Sequence, residues 1–233
     1  MFFISHGIHN IRSILKVFYH LIFRVRISRK TKRTVNFYQS IYPILKTNPD
    51  KELILWPDSI CSVSTGKSIL QKINSITANL KESKIKKGEE VLIAVPVGPD
   101  LICGILAIMA IGAIPVLPPA GSKSGEILRV IKKRKIKALL LQKSTLLVKI
   151  SSLLLSFKPI STERSTVLNN DFLPEDIDTE QAALISHSSG STGKPKAIYR
   201  SHKVLLAQHQ ILKKVFPPWE IFGAPTRECP SPS

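Results

Sequence analysis

Apolar residues in this chain follow three rhythms, and each predicts a different kind of element. In residues 1–35, Ile4, Ile8, Ile11, Leu15, Phe18, Ile22 and Val25 recur every three or four positions. That spacing puts them on one stripe of an amphipathic helix. The same rhythm returns at Ile69, Ile73, Ile76 and Leu80, where Ser64 or Thr65 caps the helix start. It appears again at Ile127, Val130 and Ile131, within a very basic helix over residues 124–134. Short unbroken runs are the second rhythm. Residues 91–95, 113–117, 138–141 and 182–185 are apolar, and 91–95 is a β-branched run fit for a buried parallel strand. Leu53-Ile54-Leu55-Trp56 and Ala197-Ile198-Tyr199 read as two further short strands. In the third rhythm, residues 101–111 are apolar on nearly every side, so this helix should be wholly buried. Gly98-Pro99-Asp100 opens it and Gly112 stops it.

Strand, helix, strand, helix, strand predicts an α/β fold: a mostly parallel, doubly wound sheet with right-handed crossovers, flanked by helices. The basic amphipathic helix of residues 1–35 precedes it. Residues 36–60 read as an entry segment with turns at Pro43, Asn48-Pro49 and Pro57. Residues 143–160, rich in Leu, Ser and Lys, read as helical. Residues 161–180 carry six acidic residues against one Arg164, and read as a surface linker with a solvated acidic patch. After residue 200, Ser201 or His202 caps a helix carrying Val204, Leu205, Ile211, Leu212 and Val215. Residues 217–233 hold five prolines and no periodicity. This irregular Pro/Ser-rich tail reads as an abrupt end, of the kind truncation or a shifted frame would leave, with a natural short terminus as the alternative. The domain reading is therefore 1–35, 36–216 and 217–233.

Composition changes this picture at one point. A net charge of +18 over 233 residues predicts attraction to polyanions, either nucleic acid or anionic lipid. Aromatics make up only 6% and do not interleave with the basic clusters, which disfavours a nucleic-acid stacking platform. Residues 1–33 could lie on an anionic membrane surface, or pack on the domain with a solvated basic face. The apolar run from Val17 to Phe23 is interrupted by His20 and is too short to span a bilayer. Cys61, Cys103 and Cys229 are widely separated, which suggests neither a disulfide framework nor a zinc site. The expected setting is a reducing cytoplasm, with peripheral membrane contact if the first helix provides it. His202 and His209, two helical turns apart, read as a solvated pair and not as metal ligands.

The candidate chemistry lies at Ser186-His187-Ser188-Ser189-Gly190-Ser191-Thr192-Gly193-Lys194-Pro195-Lys196, between the predicted strands at 182–185 and 197–199. Two glycines allow the backbone to turn several N–H groups into one concavity. Hydroxyls add rotatable donors, and lysine adds a mobile positive charge suited to phosphate. This is not a Walker loop, because Pro195-Lys196 replaces the Lys-Ser/Thr pair. Gly66-Lys67-Ser68 is a decoy, since Cys61 stands where the first Walker glycine belongs.

The order Ser-Ser-Gly-Ser-Thr-Gly-x-Pro-Lys at 188–196 resembles the phosphate loop of the adenylate-forming (AMP-binding) superfamily, which includes acyl-CoA synthetases, fatty-acid–AMP ligases, luciferases and peptide-synthetase adenylation domains. Ser201-His202 and Leu205 follow at that family's spacing, while Ala197 replaces its more common glycine. Lys87-Gly88-Glu89, residues 107–113 and residues 116–119 also fall where the family pattern places them, with Glu89 in place of aspartate. The resemblance covers roughly residues 50 to 216 and implies a partial N-terminal subdomain of such an enzyme. It further implies that Ser188, Ser189, Gly190, Ser191, Thr192, Gly193 and Lys196 contact the phosphates of ATP, with Mg2+ as companion ion and Lys194 at a variable position. By the same resemblance the chain is part of a ligase that activates a carboxylate, expected to be a fatty acid, as acyl-AMP before transfer to a thiol. The family's Tyr-Gly-x-Thr-Glu-like segment, its ribose-binding aspartate and its lysine-bearing C-terminal lid have no counterpart here. The resemblance thus assigns no catalytic residue to these positions and implies that this polypeptide alone is inactive.

Overall fold

The computed structural model describes residues 35–55, 63–119, 121–143, 145–163, 171–188 and 195–215. The expected helix of residues 1–35 and the tail of residues 217–233 fall outside these. The first described element is a helix, α1 (Phe37–Thr47), where turns were expected. Asn36 begins it with a capping box: its side chain accepts from the Tyr38 amide at 3.0 Å, and its own amide donates to Gln39 Oε1 at 3.1 Å. Pro43 sits inside this helix and not at a turn. Its ring faces solvent, so the carbonyl it deprives of a donor can be hydrated. The opposite face buries Phe37, Tyr38, Ile41 and Leu45, which fixes the helix despite the proline.

Strands β1 (Glu52–Leu55) and β2 (Val63–Thr65) form a small antiparallel pair. Thr65 then caps α2 (Gly66–Glu82), its hydroxyl accepting from the Ser68 amide at 3.2 Å. The decoy sequence is therefore a helix start. A Cβ on Gly66 would lie 2.2 Å from the Asn48 carbonyl oxygen, so only glycine lets α2 begin against the end of α1. The predicted stripe of Ile69, Ile73, Ile76 and Leu80 is fully inward.

The main sheet contains β3 (Glu90–Ile93), β4 (Ile114–Val116), β5 (Ala138–Leu141), β6 (Lys158–Ser161), β7 (Ala182–Ser188) and β8 (Lys196–Ser201). Its order is β6-β5-β3-β4-β7-β8, parallel throughout except for the antiparallel β7–β8 pair. Helices α3 (Pro99–Ala110), α4 (Ser124–Arg134), α5 (Leu146–Leu155) and α6 (His202–Val215) complete the fold.

Alternate residues of the central strands enter two separate cores. Val91, Ile93, Ala138 and Leu140 join α1, α2 and α3 on one face. Leu92, Leu139, Leu141 and Ile185 join Ile131 of α4 and Phe157 on the other. As predicted, α3 is buried all round. Gly112 ends it with φ +70°, in the left-handed region, where a side chain would also press on Ile177.

Three sequence expectations need correction. The helix at 143–160 stops at Leu155, and residues 158–161 form edge strand β6. Pro159 is tolerated there because an edge strand has one unpaired side. The acidic segment is not merely a solvated linker: Ile177 is buried, the Glu175 amide donates to the Ala110 carbonyl at 2.9 Å, and Asp171 pairs with Lys46 at 3.2 Å. Residues 171–181 thus strap α1 and α3 as the chain crosses back to β7. His202 and His209 are also buried and not solvated. Ser201 caps α6, its hydroxyl accepting from the Val204 amide at 3.3 Å. The His202 ring turns inward, and its Nδ1 accepts from the Phe37 amide at 2.9 Å.

Candidate functional site

Strands β3, β4 and β7 all run toward the same edge of the sheet, so the segments that follow them share that edge. The winding reverses at β3 and β4: the first crossover goes from β3 to β4, and the next returns past β3 to β5. In open α/β sheets, ligands bind outside the carboxyl ends of the strands at such a reversal.

The Ser/Gly/Thr motif connects β7 to β8 beside this point. In the β7–β8 ladder, Ser188 stands opposite Lys196, His187 opposite Ala197 and Ser186 opposite Ile198. Ser188 and Lys196 are therefore the two feet of the loop. Lys196 opens β8 and is exposed. Ser189, Gly190, Ser191, Thr192 and Gly193 lie outside the described residues, as does the side chain of Ser188.

Two contacts that the sequence did not announce anchor the feet. His187 Nδ1 lies 2.8 Å from the Leu117 carbonyl, so this nitrogen carries the proton and donates. The Leu117 amide in turn donates to the Ile185 carbonyl at 2.8 Å. Together these two bonds tie the end of β7 to the end of β4. On β8, the Arg200 guanidinium, opposite Leu184 and further from the loop, donates to Ser186 Oγ at 2.7 Å and so ties β8 to β7. His187 lies within the motif, but its partner is 70 residues away, so no local pattern reveals the bond.

A further polar cluster braces the same edge. The Asp100 carboxylate, in the first turn of α3, accepts from the Thr162 hydroxyl at 2.7 Å and pairs with Lys72 of α2 at 3.0 Å. Burial pushes the Asp100 carboxyl up. The bonds from Thr162, Lys72 and Gln142 outweigh that and hold it below the usual aspartate range. This cluster joins α2, α3 and the end of β6. It fixes the rim without presenting a reactive group. Cys103, on the same helix, is buried, and burial pushes its thiol up to about 12, which makes it inert.

The described groups near the loop feet are the Ser186 hydroxyl, the His187 imidazole and the Lys196 cation. This donor set suits phosphate oxygens and does not itself offer carboxylates to a bare divalent cation.

The chain is 30% identical over 167 residues to the hybrid PKS-NRPS synthetase thnA of Trichoderma harzianum, covering 70% of this chain and 4% of that protein. It is 26% identical over 196 residues to an acetyl-coenzyme A synthetase of Bdellovibrio bacteriovorus, covering 69% of this chain and 30% of the relative. The chain thus spans less than a third of either relative. Its fold resembles the N-terminal subdomain of Klebsiella oxytoca NpsA in complex with 3-hydroxyanthranilyl-AMSN, with a TM-score of 0.53 at 22% identity over 72% of this chain and 40% of that one. It also resembles the anthranilate CoA ligase AuaEII in complex with anthranoyl-AMP, with a TM-score of 0.61 at 19% identity over 74% of this chain and 35% of that one. A protein-family model described as AMP-binding enzyme matches residues 45–223. The chain belongs to this family of adenylate-forming enzymes and has the fold of their N-terminal subdomain.

Proposed function

We propose that the β7–β8 loop holds the β- and γ-phosphates of ATP for a ligase that activates a carboxylate. In that reaction a carboxylate oxygen bonds to the α-phosphorus, the bond from that phosphorus to the bridging oxygen breaks, and pyrophosphate leaves. The acyl-AMP product then passes its acyl group to a thiol, releasing AMP. The observation that carries this reading is the pair of loop feet, Ser188 opposite Lys196, braced by His187–Leu117 and Arg200–Ser186 beside the winding reversal. Thr192 would donate its hydroxyl and Lys196 its ammonium to phosphate oxygens, with Gly190 and Gly193 letting the backbone amides converge. Mg2+ would arrive on the nucleotide and offset its charge, since the loop supplies cations of its own.

A fatty acid is the substrate we favour, because residues 1–33 combine an apolar stripe with basic residues and suit an enzyme that meets lipid. The relatives leave other carboxylates in view, since they include an acetyl-coenzyme A synthetase and an anthranilate CoA ligase.

The loop is tested by titrating a fluorescent ATP analogue into wild type, Thr192→Ala and Lys196→Ala. Loss of a charge-assisted hydrogen bond should weaken binding by about tenfold or more in Lys196→Ala, with a smaller loss in Thr192→Ala. Unchanged affinity in both variants overturns the assignment. Substrate class is read separately, by ATP–pyrophosphate exchange in the whole enzyme with a fatty acid, an aryl acid and acetate.

A further inference from the structure

Among the described residues, one helix carries four strongly exposed apolar side chains. On α5, Leu146, Ile150, Leu153 and Leu154 are 73%, 49%, 83% and 79% exposed. Their spacing of four, three and one puts them on one side of the helix. Val148 and Leu155 of the same helix pack on the second core, alongside Ile127, Leu128 and Val130 of α4. α4 and α5 therefore cover the same face of the sheet, and α5 is apolar toward both the core and the solvent.

The surroundings of this stripe are basic. Arg129, Lys132 and Lys133 on α4, Lys135 and Lys137 just after it, and Lys149 on α5 are all exposed. None of these six has an ion-pair partner among the described residues. The nearby acidic groups are already engaged: Glu90 holds Arg134 at 2.6 Å, and Glu126 accepts from the Lys123 amide at 3.0 Å.

We propose that the α4–α5 face docks on an anionic lipid bilayer, with Leu153 and Leu154 entering the acyl boundary and the lysines meeting the headgroups. Two features favour lipid over a protein partner. Leu153 and Leu154 are so fully exposed that they stand clear of the surface and line no groove, so a protein would need a cavity shaped to receive them, whereas a bilayer interface yields. The cations are mainly lysines, whose flexible stems keep contact with headgroups while the leucines insert. The proposal is built on residues other than 1–33 and the phosphate loop.

The test uses the full chain with vesicles of phosphatidylglycerol and phosphatidylcholine, against phosphatidylcholine alone. The expected result is co-sedimentation with the anionic vesicles only. Leu153→Glu with Leu154→Glu should lower the partition coefficient by about tenfold or more, the scale of burying one large aliphatic side chain. Each of Lys132→Gln and Lys133→Gln should lower it by about fivefold. Because residues 1–33 could also bind, Leu153→Trp is measured with brominated lipid. Its fluorescence should be quenched beyond the wild-type signal of Trp56 and Trp219. Absence of vesicle binding overturns the proposal. So does a bound chain whose Leu153→Trp signal is not quenched, which would place the contact elsewhere. Self-association of wild type that is abolished by the double glutamate variant, without lipid binding, would assign the face to a second copy and overturn it as well.

Discussion

His202 makes stability depend on pH in a calculable way. Its Nδ1 accepts from the buried Phe37 amide, so the neutral ring carries its proton on Nε2, which is buried without a partner among the described residues. Burial lowers its pKa from 6.5 to about 4. The unfolded chain therefore binds a proton that the folded one refuses between those values. The folded-state pKa is depressed, so the stabilisation is complete above pH 6.5 and is lost as pH falls through about 4. Applying the linkage relation to those two values gives a loss of about 2 kcal/mol on going from pH 7 to pH 5. The comparison is with His202→Asn, whose carbonyl can still accept from Phe37 but cannot titrate. Urea unfolding of both proteins at pH 7 and pH 5 isolates the term, since any contribution from His209 is common to both. The variant should be less stable at pH 7 and show a shallower decline toward pH 5. Parallel declines in the two proteins would refute the reasoning.

Two other substitutions probe the frame beneath the site. Gly66→Ala would force a methyl group against the Asn48 and Leu45 carbonyl oxygens, 2.2 Å and 2.9 Å from the ideal Cβ. It should destabilise the fold by about 3 kcal/mol in urea unfolding. Asn36→Ala removes both the α1 cap and a 2.6 Å bond to the Met109 carbonyl, and should cost about 2 kcal/mol. Asn36→Asp keeps the cap acceptor but sets a buried carboxylate oxygen against the Met109 and Glu175 carbonyls, so at pH 7 thermal unfolding should place it no higher than Asn36→Ala.

What could be read from the sequence was whatever had a local cause. The bounds of α4, the all-round burial of α3 and the inward stripe of α2 follow from periodicity and appear in the structure as expected. The parallel strands β3, β4, β5 and β7 announced themselves as short apolar runs, because both of their faces are covered. α1 was hidden by Pro43, which has a strong local preference against helix interiors that the burial of Phe37, Tyr38 and Ile41 overrides. Its one local sign was Asn36 followed by Gln39, the spacing of a capping box. β6 was hidden because Pro159 and the neighbouring leucines match no strand pattern until an edge position is known. The strap of residues 171–181 is anchored by buried Ile177, by the Glu175–Ala110 backbone bond and by polar contacts to Asp171 from Lys46 and Asn74, partners so far along the chain that composition does not reveal them. At the site, the motif located the loop. The His187–Leu117 and Arg200–Ser186 links join distant or facing backbone positions and emerge only from the ladder geometry.

Asn36 and Phe37 also bear on how the molecule is assembled during synthesis. Asn36 reaches the Met109 and Glu175 carbonyls, and the Phe37 amide waits for His202, 165 positions further along. At roughly 5–20 residues per second, a ribosome needs on the order of ten to thirty seconds to supply that last partner. Until then α1 can pair with α2 and α3 but cannot close its amino end. The arrival of α6 should therefore be a late event that locks the earliest described helix in place. A nascent chain halted before residue 202 would leave that end open to a chaperone or a protease.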